Sequence, residues 1–289
     1  MGTKNVPIGQ FDNIMEGAGG SNNATTSSDR TNYFESGPRE LLELFLFLEA
    51  DRMTGLSRAM TLEKLNTQRG VVRNERRQSY EHRPYGMAHL LIQPIIYPTP
   101  HPYSWPVIGS QEDLNAASLD DIKAFFRKYY CPSNASLAIA GDIDPATAVE
   151  LVERYFGGIS PGIVPNRVQQ MDSTIRVEVV LDLTDKVELP RLYLAYPGPA
   201  AFHRDEAALD VLSTLLSDGK SSRLFKSLVY EKQIARDVSI SNYAQEIAGM
   251  INIQATASPG HTLDEIQSVI EEELDRVRTD PPTDHELQR

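Results

Sequence analysis

Two pairs of predicted strands are joined by connections too short to contain a crossover helix. The first pair is SNNATTSS and RTNYFES, on either side of Asp29, and the second is ARDVSISNYA and GMINIQATAS. Parallel neighbours need a connection of about a dozen residues or more, whereas antiparallel neighbours can be joined by a tight turn. The sequence therefore predicts an α+β fold with mainly antiparallel sheets, not a doubly wound parallel sheet.

Helical patterns accompany the strands in two successive series. The stretch GISPGIVPNRVQQMD between the series is rich in Gly and Pro, which is typical of a linker. We predict an N-terminal domain at residues 1–160, a linker at 161–172 and a second, homologous α+β domain at 173–289. Each domain is predicted to contain a further strand, NASLAIAGDI in the first and TIRVEVVLDL in the second.

Composition excludes several classes of protein. The net charge of −12 and the pI of about 5.0 argue against a basic nucleic-acid surface. The apolar stretch LLELFLFLEA is interrupted by Glu43 and is far shorter than the roughly 20 residues that a membrane span needs. The start MGTKNVPIGQ lacks the pattern of a secretory signal. We expect no membrane span and no nucleic-acid partner.

Glu75 lies in a segment, TLEKLNTQRGVVRNERRQSYE, that predicts a helix. Helical spacing places it on the same face as Leu65 and Val72, so its carboxylate is expected to point toward the apolar side. None of the positions three or four residues away holds a cation; they are Val71, Val72, Gln78 and Ser79. A partly buried carboxylate needs neutralisation by a distant arginine or a metal ion, and both interpretations stay open on this pattern.

Several segments together resemble the pitrilysin/insulinase family of zinc peptidases, in its shorter bacterial and processing-peptidase-like branch. They are GGSNNATTSSDRTNYFES, VVRNERRQSYEHRPYG, HPYSWPVIGS and YYCPSNASLAIAGDIDPATAVELVERYFG. The resemblance implies a zinc ion held by two histidines of an inverted HxxEH motif and by a glutamate on a later helix, with the HxxEH glutamate as general base. Glu75 matches the later glutamate and is our candidate metal ligand.

The resemblance also implies a peptide-binding edge. The segment NNATT matches a strand that receives an extended substrate by strand addition. Asn23 and Ala24 are therefore the candidate substrate-binding residues, unless they simply belong to an inner hairpin. In the HPYSW and SSRL segments, His101, Trp105 and the residues from Ser221 to Leu224 are expected to pack and to fix loops.

The HxxEH motif itself is absent. No two of the six histidines are three or four residues apart, the spacing that places two imidazoles on one helical face. In the family the motif lies immediately upstream of the segment that MGTKNVP resembles, and the segment PPTDHELQR stops just as a predicted helix begins after Thr283. We therefore predict a fragment in which both domains are truncated. Because a catalytic zinc site needs about three protein ligands, the isolated chain is predicted neither to bind Zn²⁺ tightly nor to hydrolyse peptides.

For the intact protein the resemblance implies a zinc metalloendopeptidase, a hydrolase that cleaves short or unfolded peptides between two halves of a clamshell. The second half would come from the same longer chain or from a partner subunit. Two alternatives remain: a non-catalytic partner subunit that scaffolds or binds peptides, and a structural module whose Glu75 is salt-bridged. The resemblance makes a periplasmic or otherwise exported location plausible, and a cytoplasmic one stays open.

Overall fold

The computed structural model describes residues 2–169 and 171–288, which form two compact units. The first unit combines Met1–Glu75 with Val107–Arg167, and the second combines Arg76–Pro106 with Val168–Arg289. Both contain helices and antiparallel strands, which confirms the α+β class. Residues 76–106 group with the second unit here, and the domain limits of 1–160 and 173–289 remain a prediction.

The regular elements follow in chain order. The helices are α1 Gln10–Gly17, α2 Leu42–Ala59, α3 Leu62–Arg76, α4 Met87–Ile96, α5 Gln111–Ala116, α6 Leu119–Tyr129, α7 Pro145–Phe156, α8 Glu206–Ser217, α9 Leu263–Thr279 and α10 Asp284–Gln288. The strands are β1 Ser21–Thr26, β2 Thr31–Ser36, β3 Arg191–Gly198, β4 Ala235–Ala244 and β5 Gly249–Ala257. Two π-helical segments, Arg77–Glu81 and Phe225–Glu231, complete the helical structure.

In the first unit, β1 and β2 form the predicted hairpin. The helix α2 contributes Leu48 to the core of this unit, where it packs with Val6 and Met15. The buried Asp51, also on α2, accepts hydrogen bonds from the hydroxyl of Thr3 and, at 2.7 Å, from the side-chain amide of Asn5. This carboxylate therefore ties the N-terminal loop to α2.

The second unit is built on an antiparallel sheet with the strand order β3-β5-β4. One face of the sheet is covered by the helix α9 and by the segment that follows α8. The core between these layers consists of fully buried aliphatic side chains: Leu216, Leu224, Leu228, Ala255, Ile266 and Ile270. Ser222 and Leu224 are both fully buried, which confirms the packing role predicted for the SSRL segment.

The HPYSW segment is fixed mainly by His101. This buried side chain stacks on Tyr97, accepts a hydrogen bond from the Tyr103 amide at 3.0 Å and bonds the Met171 carbonyl at 2.8 Å. The packing role predicted for Trp105 is wrong, since 60% of that residue is exposed. Its backbone carbonyl accepts a hydrogen bond from the side-chain amide of Gln93 instead. Trp105 therefore helps to fix the loop through its backbone and not through its ring.

Two predicted strands do not form. The segments at 134–143 and 174–183 have no strand structure, although their alternating residues suggested it. A strand requires a hydrogen-bonded neighbour, and within residues 2–169 and 171–288 neither segment pairs with one. Apolar side chains in the second segment are consequently exposed, Val177 to 73% and Val180 to 78%.

The last helix, α10, is held by an ion pair with the SSRL segment. Arg223 donates to both carboxylate oxygens of Glu286, at 2.8 and 3.0 Å. These bonds, together with that from the Thr283 amide, lower the pKa of Glu286 to about 2. A lowered pKa means that the carboxylate stabilises the fold above its ordinary pKa and that this contribution is lost as the pH falls toward 2.

Substitution Glu286→Gln is expected to lower the free energy of unfolding by about 1 kcal/mol at neutral pH, since the pair is partly exposed to solvent. The difference from the wild type should shrink as the pH falls below about 4, where the wild-type carboxylate begins to lose its advantage. Urea unfolding at several pH values measures this. The exposed Glu272→Gln on α9 is the matched control, and an equal loss in both variants would contradict the assignment.

Candidate functional site

Glu75 lies at the C-terminal end of α3, one residue before the helix ends. Along its face Leu65 is buried and Val72 is half-buried, but Glu75 itself is exposed. The prediction of a partly buried carboxylate is therefore wrong, because burial on this face decreases before the helix reaches Glu75. Within the described part of the chain its side chain makes no hydrogen bond or ion pair.

Two of the arginines that flank Glu75 bind other groups. Arg73 donates to the side-chain oxygen of Gln111 at 3.1 Å. Arg76 pairs with Glu81 at 3.2 Å, and its side chain is only 13% exposed. These two guanidinium groups of the RNERR cluster are thus paired with other side chains, and the exposed carboxylate of Glu75 is available to an incoming cation.

The ligand set of a metal site is incomplete in this part of the chain. No group of three or more His, Cys, Asp or Glu side chains that could hold a metal ion occurs among the described residues. An exposed carboxylate such as Glu75 suits zinc as one oxygen ligand, and a catalytic zinc site takes about three protein ligands. Glu75 could therefore hold zinc only together with donors from outside these residues.

The hairpin places Ala24 at an exposed strand edge. The Ser27 amide donates to the Arg30 carbonyl at 2.9 Å, and the register pairs Asn23 with Phe34 and Ala24 with Tyr33. In an antiparallel ladder, residues bonded to the partner strand alternate with residues whose N–H and C=O groups point away. Ser27, Thr25 and Asn23 therefore form the set whose backbone groups face β2. The N–H and C=O groups of Ala24, which belongs to the alternate set, point outward.

The side chain of Asn23 occupies this outward edge. Its Oδ1 atom accepts a hydrogen bond from the Ala24 N–H at 2.8 Å, and both residues are exposed. The Ala24 N–H is one of the groups that an added strand would use. A peptide pairing here would displace the Asn23 side chain and replace one hydrogen bond with another.

A side-chain network behind the hairpin was missed by the sequence analysis. Arg52 of α2 lies 3.4 Å above the ring of Tyr33 and pairs with Glu49 one turn earlier. The Tyr33 hydroxyl lies 2.8 Å from that of Tyr130. The three-residue spacing of Glu49 and Arg52 was a visible signal for their ion pair, but nothing in the sequence placed Tyr33 against them.

Comparison with known families assigns the chain. Residues 116–289 match the family described as "Peptidase M16 inactive domain". The chain belongs to the M16 peptidase family. This result confirms the resemblance to the pitrilysin/insulinase peptidases, and the "inactive domain" description applies to the C-terminal part of the chain that it matches.

M16 relatives are named as zinc proteases. Zinc protease PqqE of Helicobacter pylori is 31% identical over 290 residues, covering 99% of this chain and 65% of the relative. The crystal structure of a protease from H. pylori has a TM-score of 0.91 at 31% identity, with 99% of this chain and 69% of that chain covered.

The first half of the periplasmic protease PqqL from Escherichia coli has a TM-score of 0.71 at 17% identity, with 99% and 63% covered, and so shows the shared fold. Relative to PqqE of H. pylori, this chain spans about two thirds of the length, 65%. No helix in the described residues of this M16 chain is long and apolar enough to cross a membrane.

Proposed function

We propose that this chain is part of a longer zinc metalloendopeptidase that hydrolyses short or unfolded peptides, and that Glu75 is one of its zinc ligands. The observation that carries the proposal is the exposed carboxylate of Glu75 at the end of α3, with two of its neighbouring arginines bound to other groups. The names of the M16 relatives and the 65% of PqqE that the chain spans support it.

Residues of this chain would then perform two tasks. Glu75 would hold the metal ion together with two donors from a HxxEH segment. A bound zinc ion supplies a Lewis acid for the scissile carbonyl and lowers the pKa of its water. The outward N–H and C=O of Ala24 would orient the peptide as an added strand, which binds main-chain groups and tolerates varied side chains.

Zinc binding and peptide cleavage test this proposal directly. The isolated chain is expected to bind Zn²⁺ weakly and to leave an unfolded reporter peptide intact. A longer protein that includes a HxxEH segment is expected to retain about one zinc ion per chain through gel filtration and to cleave the peptide, with cleavage abolished by a chelator. A longer protein with no chelator-sensitive cleavage would overturn the proposal.

A non-catalytic partner subunit is the second candidate function. The match of residues 116–289 to the inactive-domain family is consistent with such a subunit. Such a subunit would bind peptides at the Ala24 edge and would raise the activity of a separate catalytic chain. In that case a peptide would bind to the longer protein, but cleavage would require the added catalytic subunit.

The location and the second half of the clamshell are also proposals. We infer that the intact protein acts outside the cytoplasm, since a structural neighbour is described as a periplasmic protease. That neighbour is described as the first half of PqqL, so we propose that a second half encloses the peptide, from the same longer chain or from a partner subunit. Cell fractionation of the full-length product and its mass in solution would test both points.

A further inference from the structure

The β1–β2 hairpin depends on side chains for its attachment to the first unit. A two-stranded sheet has little stability of its own in water. On β2, the half-buried residues Tyr33 and Glu35 alternate with the exposed Asn32, Phe34 and Ser36. The inner face of the hairpin is therefore aromatic and acidic, and its contacts with α2 are polar.

A continuous series of contacts joins this inner face to α2. The side chains of Glu35 and Glu49 line the same groove, and the charge and hydrogen bond of Glu49 are among the causes that raise the pKa of Glu35. Glu49 forms an ion pair with Arg52, and the Arg52 guanidinium stacks on the Tyr33 ring at 3.4 Å. The series thus leaves β2 at Glu35 and returns to it at Tyr33, two residues away on the same face.

The charges in this series do not balance when both carboxyl groups are ionised. A hydrogen bond between two carboxyl groups requires a proton on one of them, because an ionised carboxylate only accepts. Burial, followed by the charge and hydrogen bond of Glu49, raises the pKa of Glu35 to about 8, while Arg52 acts in the opposite direction. The other groups lining this region are engaged elsewhere: Arg39 pairs with Asp142, and Tyr130 bonds Tyr33.

A groove gives solvent access to the carboxyl pair. It has a volume of about 390 Å³, and Glu35 and Glu49 line it together with apolar residues of α2 such as Phe45 and Leu46. Protons can therefore exchange with solvent while the hairpin remains in place. The pair combines partial burial, which favours a shared proton, with the access that titration requires.

We propose that Glu35 and Glu49 share one proton and act as positioning residues, latching the hairpin and its Ala24 edge onto α2, so that loss of the proton loosens the edge. Register supports the connection, since Tyr33 lies directly opposite Ala24. The consequence for peptide binding rests on the proposed function, whereas the latch itself does not. Neither carboxyl group touches the peptide, so both act through the strand that they hold.

The direction of the pH effect follows from the raised pKa of Glu35. In the folded chain this group keeps its proton between its ordinary pKa of 4.5 and about 8, whereas in the opened hairpin it loses it. The folded state then binds more protons, so the latch weakens as the pH rises through this range. Above about 8 both states are ionised and the weakening stops.

Hydrogen exchange of the hairpin amides tests the latch in the chain as it exists. Protection factors of the β1 and β2 amides are expected to fall at least about tenfold between about pH 6 and pH 8, relative to those of α9. In Glu35→Gln the neutral amide can donate to Glu49 at every pH, so the fall should disappear. Glu49→Gln serves as a second variant, and the exposed Glu112→Gln should behave as the wild type.

Equal pH profiles in the wild type and in both glutamine variants would overturn the latch. A peptide of alternating valine and threonine, titrated at about pH 6 and pH 8.5, separates this result from the proposed function. Binding that weakens with pH in the wild type but not in Glu35→Gln supports both. Absence of binding at either pH, with the exchange profiles as expected, would refute the peptide edge and leave the latch intact.

Discussion

Substitution Glu75→Gln, in a longer protein that contains this chain and a HxxEH segment, is expected to reduce peptide hydrolysis by about a thousandfold or more. The loss corresponds to about 4 kcal/mol of transition-state stabilisation. Glutamine has nearly the same shape but carries no negative charge, so it is a poor third ligand for zinc. The measurements are kcat/KM for an unfolded reporter peptide and the zinc content after gel filtration.

Glu63→Gln is the matched control for this substitution. Glu63 is also an exposed glutamate on α3, in the first turn of the helix. Its replacement should leave both zinc content and kcat/KM within about twofold of the wild type, since it removes charge without touching the predicted ligand set. Full activity and full zinc content in Glu75→Gln would show that this carboxylate is not a ligand.

Substitution Leu224→Ala is expected to destabilise the second unit by about 2 to 5 kcal/mol, the range for replacing a buried leucine with alanine, which leaves a cavity in the core. Leu224 is 0% exposed and lies in the core cluster with Leu228, Ile266 and Ile270. The loss is a large fraction of the stability of an ordinary domain. Thermal unfolding followed by circular dichroism should therefore show a midpoint temperature, Tm, that is lowered by roughly 10 °C.

The control for this variant is Leu181→Ala, in the same unit. Leu181 is 53% exposed, so truncation there should change the free energy of unfolding by less than about 0.5 kcal/mol. A comparable loss of stability in the two variants would mean that Leu224 does not stabilise the second unit through its buried contacts. Retention of the wild-type transition in Leu224→Ala would have the same meaning.

Local signals predicted much of this fold correctly. The hairpin of β1 and β2 and the antiparallel pair of β4 and β5 depend on residues close in sequence. The strands predicted at 134–143 and 174–183 failed for the opposite reason. An alternating pattern shows that a segment can form a strand, but the strand also needs a neighbour that the pattern does not supply.

The candidate site was predictable to a similar, limited degree. Periodicity placed Glu75 on the face of Leu65, but it could not show that burial ends before Glu75. The roles of Asn23 and Ala24 came from family resemblance, and their functional assignment stays a prediction. The Glu35–Glu49 pair could not be found, because the contact joins β2 to α2 through tertiary structure that no short pattern encodes.

The exposed stretch at 174–183 has a consequence for how copies of the chain meet one another. A valine-rich stretch with open backbone groups invites sheet formation between molecules. In this stretch, Arg176, Glu178 and Asp182 interrupt the apolar residues. Stacking such stretches in register would bring like charges together, so these three side chains are expected to oppose fibril-like assembly.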